Sequence, residues 1–247
     1  MKAKTALLSI DYDFFIREDP LWDFGHSEGL NAGPLGGAIW FSRYMALDLF
    51  EETDPDTYAD FQPIQIVEAL RQKGFAFPEE KIPVGVGDSH RHALEYLTRL
   101  GQPDVLINID AHHDCYEPRG EEVECDTWLT EMIDKWGVEV AQIYPGWKDQ
   151  AWDPAPVRPM SIHAWPEWVP AKEGSPLVVQ GIYVSRSGTW VPPHHDPGFL
   201  DMVDRIRSIG TVEVVEETPL RPHPHPRGVA EAHHRMRNLR HTPPPRR

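Results

Sequence analysis

Three apolar runs in the sequence are each followed at once by carboxylate or imidazole side chains. These are Asp11 and Asp13 after residues 5–10, Asp88 and His90 after residues 82–86, and Asp110, His112 and Asp114 after residues 105–109. Carboxylates neutralise and bridge neighbouring divalent ions, and imidazoles complete the coordination without adding charge. Mixed oxygen and nitrogen ligands suit manganese, and they suit zinc or iron less exclusively. The residue types therefore predict a metal site.

The run Asp110-Ala-His-His-Asp114 is the most specific of the three segments. Side chains two positions apart on an extended chain point the same way, so Asp110, His112 and Asp114 can face one site. Ala111 and His113 then face elsewhere. Four ionisable side chains directly after Leu-Ile-Asn-Ile have no structural use, which favours metal binding. An Asp-x-Asp pair, or two histidines at a helix start, is by itself more often a solvated loop.

Short apolar runs alternate along the chain with patterns typical of helices. Strands are predicted at residues 5–10, 82–86, 105–109, 138–143, 177–184 and 211–215, and helices at residues 35–50, 64–73, 90–100, 127–136 and 197–208. The strand runs are β-branched and do not alternate, as expected of strands covered on both faces. This order predicts an α/β fold with a mostly parallel sheet and helices on both sides. In such sheets functional groups gather at the carboxyl ends of the strands.

Two of the predicted helices have clear boundary signals. Asp126 and Gly137 bracket the helix at 127–136, as an N-cap and a left-handed C-terminal residue do. Asp196 is predicted to cap the helix at 197–208, where Pro197 suits the first turn.

The chain is predicted to form one domain over residues 1–220, followed by a tail over residues 221–247. The tail is rich in Pro, His and Arg and has too few apolar residues to offset its ordering entropy, which predicts disorder. It holds seven arginines and one glutamate, so the first 220 residues carry 17 basic and 38 acidic side chains, net −21. An acidic body repels nucleic acid and anionic membranes and attracts cationic substrates. Neither nucleic acid nor a membrane is therefore expected as a partner.

Cysteine content and apolar run lengths predict the compartment. Cys115 and Cys125 do not form a disulfide framework, which favours a reducing, cytoplasmic setting. The first residues lack the apolar length and small-residue cleavage site of a signal peptide. No apolar run approaches the length of a membrane span.

The three segments together resemble the motifs of the arginase (ureohydrolase) superfamily. The family's DAHxD motif is complete at residues 110–114, and residues 84–90 resemble its glycine-rich strand ending in Asp-His, with one serine inserted. Residues 9–13 match the start of its SxDxD motif, which in arginases follows DAHxD but here opens the chain. Residues 184–193, where that motif would fall, hold no aspartate. The resemblance implies an arginase-like three-layer α/β/α fold with circularly permuted connectivity.

The sequence also resembles a narrower group of arginase-like proteins, the peptide arginases. The segments that resemble it are SIDYDFF at residues 9–15, DSHRHAL at 88–94, DAHHD at 110–114 and VSRSGTWVPP at 184–193. Peptide arginases convert arginine side chains of ribosomally made peptides to ornithine, with release of urea, during natural-product maturation. The resemblance therefore implies a hydrolase with two manganese ions and an arginine-containing precursor peptide as its partner.

The resemblance also implies roles for individual residues. One manganese would be held by His90, Asp110, Asp114 and Asp11, and the other by His112, Asp13 and bridging oxygens of Asp110 and Asp11. Asp114 would also help to move a proton to the leaving amine.

Substrate contacts have weaker signals in the sequence. A guanidinium requires a carboxylate partner, and Glu28, on a glycine-bearing loop after Asp13, is the candidate. His26 is the candidate proton shuttle, although both residues are as well explained by an ordinary surface loop. Ser185 and Ser187 follow the longest predicted strand and are expected to contact the substrate.

Several alternatives remain open at this point. A small-molecule ureohydrolase or a deacetylase-like amidohydrolase would use the same ligands. A haloacid-dehalogenase-type phosphatase would explain Asp11-Tyr-Asp13 but not DAHHD, and Phe14 stands where that family has threonine or valine. A peptide-binding pseudoenzyme would keep the metals without turnover. The oligomeric state is not indicated by the sequence.

Overall fold

A parallel sheet of eight strands organises the part of the chain that the computed structural model describes, which is residues 3–17, 34–47, 61–148, 153–168 and 176–221. The strands are β1 (Thr5–Asp11), β2 (Phe75–Ala76), β3 (Ile82–Gly87), β4 (Val105–Ile109), β5 (Glu139–Tyr144), β6 (Ser161–Ala164), β7 (Leu177–Ser185) and β8 (Gly210–Val214). Their order across the sheet is β6-β5-β4-β1-β7-β3-β8, and β2 pairs with β7. Every pairing between them is parallel. The predicted α/β class with a mostly parallel sheet is confirmed.

Five α-helices connect these strands within the described ranges: α1 (Pro34–Leu47), α2 (Ile66–Gln72), α3 (Ala93–Arg99), α4 (Trp128–Trp136) and α5 (Asp196–Ile206). Each predicted strand and helix is present, with ends that differ by a few residues. The predicted helices at 64–73 and 90–100 each begin with a 3-10 turn, at Pro63–Gln65 and His90–His92. The strands β2 and β6 were not predicted, because two and four residues are too few to form a pattern.

The sheet lies between two layers of helices, since its side chains alternate between two cores. Leu7 of β1 packs with residues of α3 and α4, such as Leu97 and Trp128. Leu8, its neighbour on β1, packs instead with residues of α2 and α5. Burying one such side chain stabilises the fold by about 1.5–3 kcal/mol. Helices therefore cover both faces, which is the arrangement of a three-layer α/β/α fold.

The predicted helix boundaries were partly wrong. Gly137 ends α4 in the left-handed region, with φ of 59°, as predicted. The N-cap of α4 is Thr127, not Asp126, and its side chain makes no capping bond. Asp196 does not cap α5 but is its first residue, and its carboxylate accepts hydrogen bonds from Arg186 and Arg221. Arg221, placed at the start of the tail by the sequence, is thus anchored to the domain.

The order of the strands brings the three ligand-bearing segments together. β1 lies between β4 and β7, and β3 lies on the far side of β7. Because all these strands are parallel, their carboxyl ends meet at one edge of the sheet, which is where ligands bind in such sheets. In the described ranges no helix is long and apolar enough to cross a membrane.

Candidate metal centre

The first two carboxylates of the site are fixed by the end of β1. Asp11 is the last residue of that strand, and the chain then turns into a short 3-10 helix, Tyr12–Phe15. Asp11 Oδ1 accepts a hydrogen bond from the backbone N–H of Asp13 at 3.1 Å. This bond holds the turn, and both carboxylates are buried at the carboxyl edge of the sheet.

The segment after β4 supplies the next three side chains. Asp110 Oδ1 accepts the backbone N–H of His112 at 2.8 Å, which folds the chain back over the end of the strand. Asp114 has φ of 49°, in the left-handed region that aspartate adopts more readily than most residues. Its Oδ2 accepts the indole N–H of Trp128 at 2.7 Å. The turn thus brings Asp114 back toward Asp110.

His90 lies at the centre of three carboxylates. Its Nδ1 is 3.1 Å from Asp11 Oδ2, 3.0 Å from Asp110 Oδ2 and 2.8 Å from Asp114 Oδ2. Even so, this buried nitrogen makes no hydrogen bond to a described residue. Its other nitrogen, Nε2, lies 2.7 Å from Ser9 Oγ. When Nε2–H donates to Ser9, Nδ1 carries a lone pair that can bind a cation.

These spacings fit a cation better than a hydrogen bond. One N–H hydrogen can be directed at one oxygen, so it does not explain three carboxylates around one nitrogen. Ligand atoms at right angles around an ion about 2.1 Å away lie about 3 Å apart. The distances from His90 Nδ1, 2.8 to 3.1 Å, are close to that value. The donor set is therefore suited to a divalent metal ion.

A second group of possible ligands adjoins the first and shares one residue with it. His112 Nδ1 is 3.1 Å from Asp13 Oδ2 and 3.9 Å from Asp110 Oδ1. The two groups that can hold an ion are Asp11 with His90 and Asp110, and Asp13 with Asp110 and His112, and the ligand atoms of each lie within 4.8 Å of one another. Asp110 thus directs Oδ2 at His90 and Oδ1 at His112.

The site is open on the side of His112. The His112 side chain is 21% exposed, whereas that of His90 is 2% exposed. The ring of Trp190 lies 5.4 Å from the ring of His112, centroid to centroid, and flanks this opening. Among the described candidate ligands, the solvent-exposed edge of the site therefore lies at His112, next to Trp190.

The pKa shifts in the site indicate negative charge that no cation balances among the described residues. Burial, and then the charges of Asp114, Asp13 and Asp11, raise the pKa of Asp110 well above its ordinary value. Burial alone would lower the pKa of His90, but Asp11 and the other carboxylates outweigh it and raise that pKa. Both shifts express an excess of buried negative charge, which bound cations would neutralise.

The remaining predicted residues lie in other environments. Asp88 accepts a hydrogen bond from Arg186 Nε at 2.6 Å and belongs to neither group of possible ligands. His113 also faces away, as predicted, with Nε2 at 2.8 Å from the carbonyl oxygen of Pro154 and Nδ1 accepting the N–H of Cys115. His26 and Glu28 lie outside the described residues.

Ser185 and Ser187 lie behind Asp11, not beside the opening. Ser187 Oγ donates to Asp11 Oδ2, and Ser185 Oγ is 3.2 Å from Ser187 Oγ. Both side chains are buried. They therefore orient the carboxylate of Asp11, and their contact with substrate stays a prediction.

Sequence reasoning missed two residues that support the ligands. Ser9 lies two positions before Asp11 on β1, so strand periodicity could have placed it on the same face. Trp128 carried no such signal, because its contact with Asp114 depends on how α4 packs against the turn after β4.

Comparisons of the chain with protein-family models, with curated proteins and with solved structures found no match.

Proposed function

We propose that the chain is a manganese-dependent hydrolase with two metal ions that cleaves the guanidinium of peptidyl arginine, giving ornithine and urea. One observation carries the proposal: two Asp/His groups, buried except at His112, share Asp110 at the carboxyl edge of a parallel sheet. A carboxylate directed at two ligand groups is the arrangement needed to bridge neighbouring cations.

Manganese is proposed from the donor set. Four aspartates and two histidines supply mixed oxygen and nitrogen ligands, which manganese accepts readily. His90, Asp110, Asp114 and Asp11 would hold one ion, and His112 and Asp13, with oxygens of Asp110 and Asp11, the other. When bound, paired divalent ions lower the pKa of water and neutralise negative charge that develops during hydrolysis.

The chain's own residues position these groups and move the proton. Ser187 and Ser9 hold Asp11 and His90 in place by contacts to Oδ2 and Nε2. The indole N–H of Trp128 donates to Oδ2 of Asp114. Oδ1 of Asp114 is then available to carry a proton from the attacking water to the leaving amine. The hydrolysis adds one water across the guanidinium C–N bond, so urea leaves and the side chain ends as an amine.

Two further observations support a cationic peptide substrate. The first 220 residues carry a net charge of −21, which attracts a guanidinium. The aromatic side chain of Trp190 beside the opening can contact peptide groups next to the reacting arginine. The resemblance of residues 9–15, 88–94, 110–114 and 184–193 to peptide arginases also supports this substrate. The motifs stand in an order that is permuted relative to arginases.

The proposal is tested by turnover. Manganese-loaded protein is incubated with arginine-containing peptides and with free arginine, and mass spectrometry follows a loss of about 42 Da per arginine beside a urea assay. We expect conversion of peptides, with no activity in Asp11→Ala or His112→Ala and full activity in the control Asp134→Asn, an exposed carboxylate of α4.

The other outcomes separate the alternatives. Conversion of free arginine alone would indicate a small-molecule ureohydrolase. Activity that survives Asp11→Ala would contradict the proposed ligand set. Bound manganese without urea would contradict the proposed reaction and favour another amide substrate or a binding protein.

A further inference from the structure

A second polar cluster lies beside the metal centre and has no role in holding the metal. Asp153 Oδ2 accepts a hydrogen bond from the hydroxyl of Tyr144 at 2.9 Å, and the hydroxyl of Tyr116 lies 3.5 Å from Asp153 Oδ1. Lys148 Nζ lies 3.8 Å from the same Oδ1. The side chains of Asp153 and Lys148 are only 8% and 3% exposed. This is a buried, charged cluster with one cation at a distance too long for a hydrogen bond.

The cluster lies on the same face of the sheet as the metal ligands. Asn108 and Gln142 face each other across β4 and β5 and are hydrogen-bonded at 2.9 Å. Asp110 and Tyr144 are each two positions further along and so project from that face. The backbone N–H of Asp110 donates to the carbonyl of Ile143, directly before Tyr144. Asp153 therefore flanks the metal centre on the side of β5.

The loop that carries the cluster also contacts the ligand segments. The indole N–H of Trp147 donates to the carbonyl of Phe14, one residue after Asp13, at 3.3 Å. The carbonyl of Pro154 lies 2.8 Å from His113 Nε2, one residue before Asp114. The described ends of this loop are thus fixed to both sides of the site.

The carboxylate of Asp153 has capacity for a further donor. An ionised carboxylate has about four acceptor positions, and the two tyrosines occupy one on each oxygen. The long separation from Lys148 leaves the remaining positions to a partner with planar, paired N–H groups. A guanidinium is such a partner and binds carboxylates in a fork geometry that an ammonium does not reproduce.

We propose that Asp153 is the carboxylate that binds the cationic side chain of the substrate, and that Lys148 supplies the compensating charge when no substrate is bound. This inference rests on the proposed function, since it places the guanidinium beside the metal centre. It assigns to Asp153 the guanidinium-binding role for which Glu28 was the candidate from sequence. A purely structural ion pair is the alternative, and it predicts different behaviour of two variants.

The test compares Asp153→Asn and Lys148→Met with wild type and with Asp134→Asn. Manganese-loaded proteins are titrated by calorimetry with a short arginine peptide and with the same peptide containing citrulline, whose side chain is neutral. Where urea is released, initial rates give KM as well. Loss of a charge-assisted contact is expected to weaken arginine-peptide binding by about 10- to 100-fold in Asp153→Asn, with citrulline binding and metal content unchanged. Lys148→Met is expected to bind the arginine peptide at least as tightly as wild type.

Equal weakening of both peptides in Asp153→Asn, or weakening by Lys148→Met to the same extent, would show a structural pair and overturn the inference. Different results would overturn the binding role of Asp153 and the proposed hydrolase reaction. Urea release with an unchanged KM in Asp153→Asn would overturn this inference and leave the hydrolase standing. A preference for arginine over citrulline that Asp153→Asn abolishes, without any urea, would support the binding role and contradict the reaction.

Discussion

Neutralising Asp110 is expected to stabilise the metal-free protein while abolishing its response to manganese. Asp110 is buried among three other carboxylates, and its pKa is raised by burial and by their charges. The substitution Asp110→Asn keeps the shape of the side chain and removes one negative charge. Without metal, the negative charge of Asp110 is unfavourable, whereas with metal its carboxylate is the proposed shared ligand.

The magnitude follows from the distances in the site. With an effective dielectric constant of about 20, like unit charges 4.8 Å apart repel by about 3 kcal/mol. Asp110 meets this repulsion twice, because oxygens of Asp11 and Asp13 each lie within 4.8 Å of its own. Asp114 adds a third repulsion, and His90, 3.0 Å away, opposes them with an attraction of about 5 kcal/mol when protonated. The balance favours the neutral variant by about 1 to 4 kcal/mol.

Thermal unfolding measures both effects. In EDTA, Asp110→Asn is expected to melt above wild type, by about 2 to 4 °C for each kcal/mol gained. Saturating manganese raises the Tm of wild type but leaves the variant nearly unchanged, because ligand binding stabilises only a protein with an intact site.

The control is Asp196→Asn. This carboxylate is equally buried but is paired with Arg186 and Arg221, so the change should lower the Tm in both conditions. A loss of Tm in EDTA for Asp110→Asn as large as that of the control, with manganese still stabilising the variant, would refute the reasoning.

Three further predictions concern protons and ligand support. The raised pKa of His90 means that its contribution to the stability of the metal-free protein is present below about pH 6.5 and is lost as the pH rises through the folded-state pKa. Manganese binding should release protons and become tighter as the pH rises. Calorimetry in buffers of different ionisation enthalpy measures this proton release. Burial, and then His194, lower the pKa of His195 to about 3. The contribution of His195 to the stability of the folded protein is therefore present above about pH 6.5 and is lost as the pH falls toward 3. Replacing His195 with Gln should flatten the fall of Tm between pH 6 and pH 4, and an unchanged slope would contradict this account. Ser187→Ala should weaken manganese binding about 10-fold, because its hydroxyl orients Asp11, while the exposed Ser208→Ala should not.

Much of the fold and the positions of the candidate ligands could be predicted from the sequence because both depend on local patterns. The run at 105–109 is β-branched and apolar, and the strand has the same limits. The spacing in Asp110-Ala-His-His-Asp114 predicts which of these side chains meet in the site. The parallel sheet then required the ends of β1, β3 and β4 to meet at one edge.

The remaining features depend on contacts between distant segments. Asp196 has the local signature of a helix cap, but folding brings Arg186 and Arg221 to it, and a buried charge pair replaces the cap. Asp153 lies in a proline-rich connection with no periodic pattern, and its partner Tyr144 belongs to another element. The position of Ser187 after β7 is predictable from the sequence, whereas its hydrogen bond to Asp11 depends on the pairing of β7 with β1.

The most direct test of the central claim is an anomalous-difference map from crystals of the manganese-loaded protein, recorded at the manganese absorption edge. Our account predicts two peaks about 3.5–4 Å apart, one beside His90 and one beside His112, with Asp110 in contact with both. A single peak, or no peak between these histidines at saturating manganese, would contradict it.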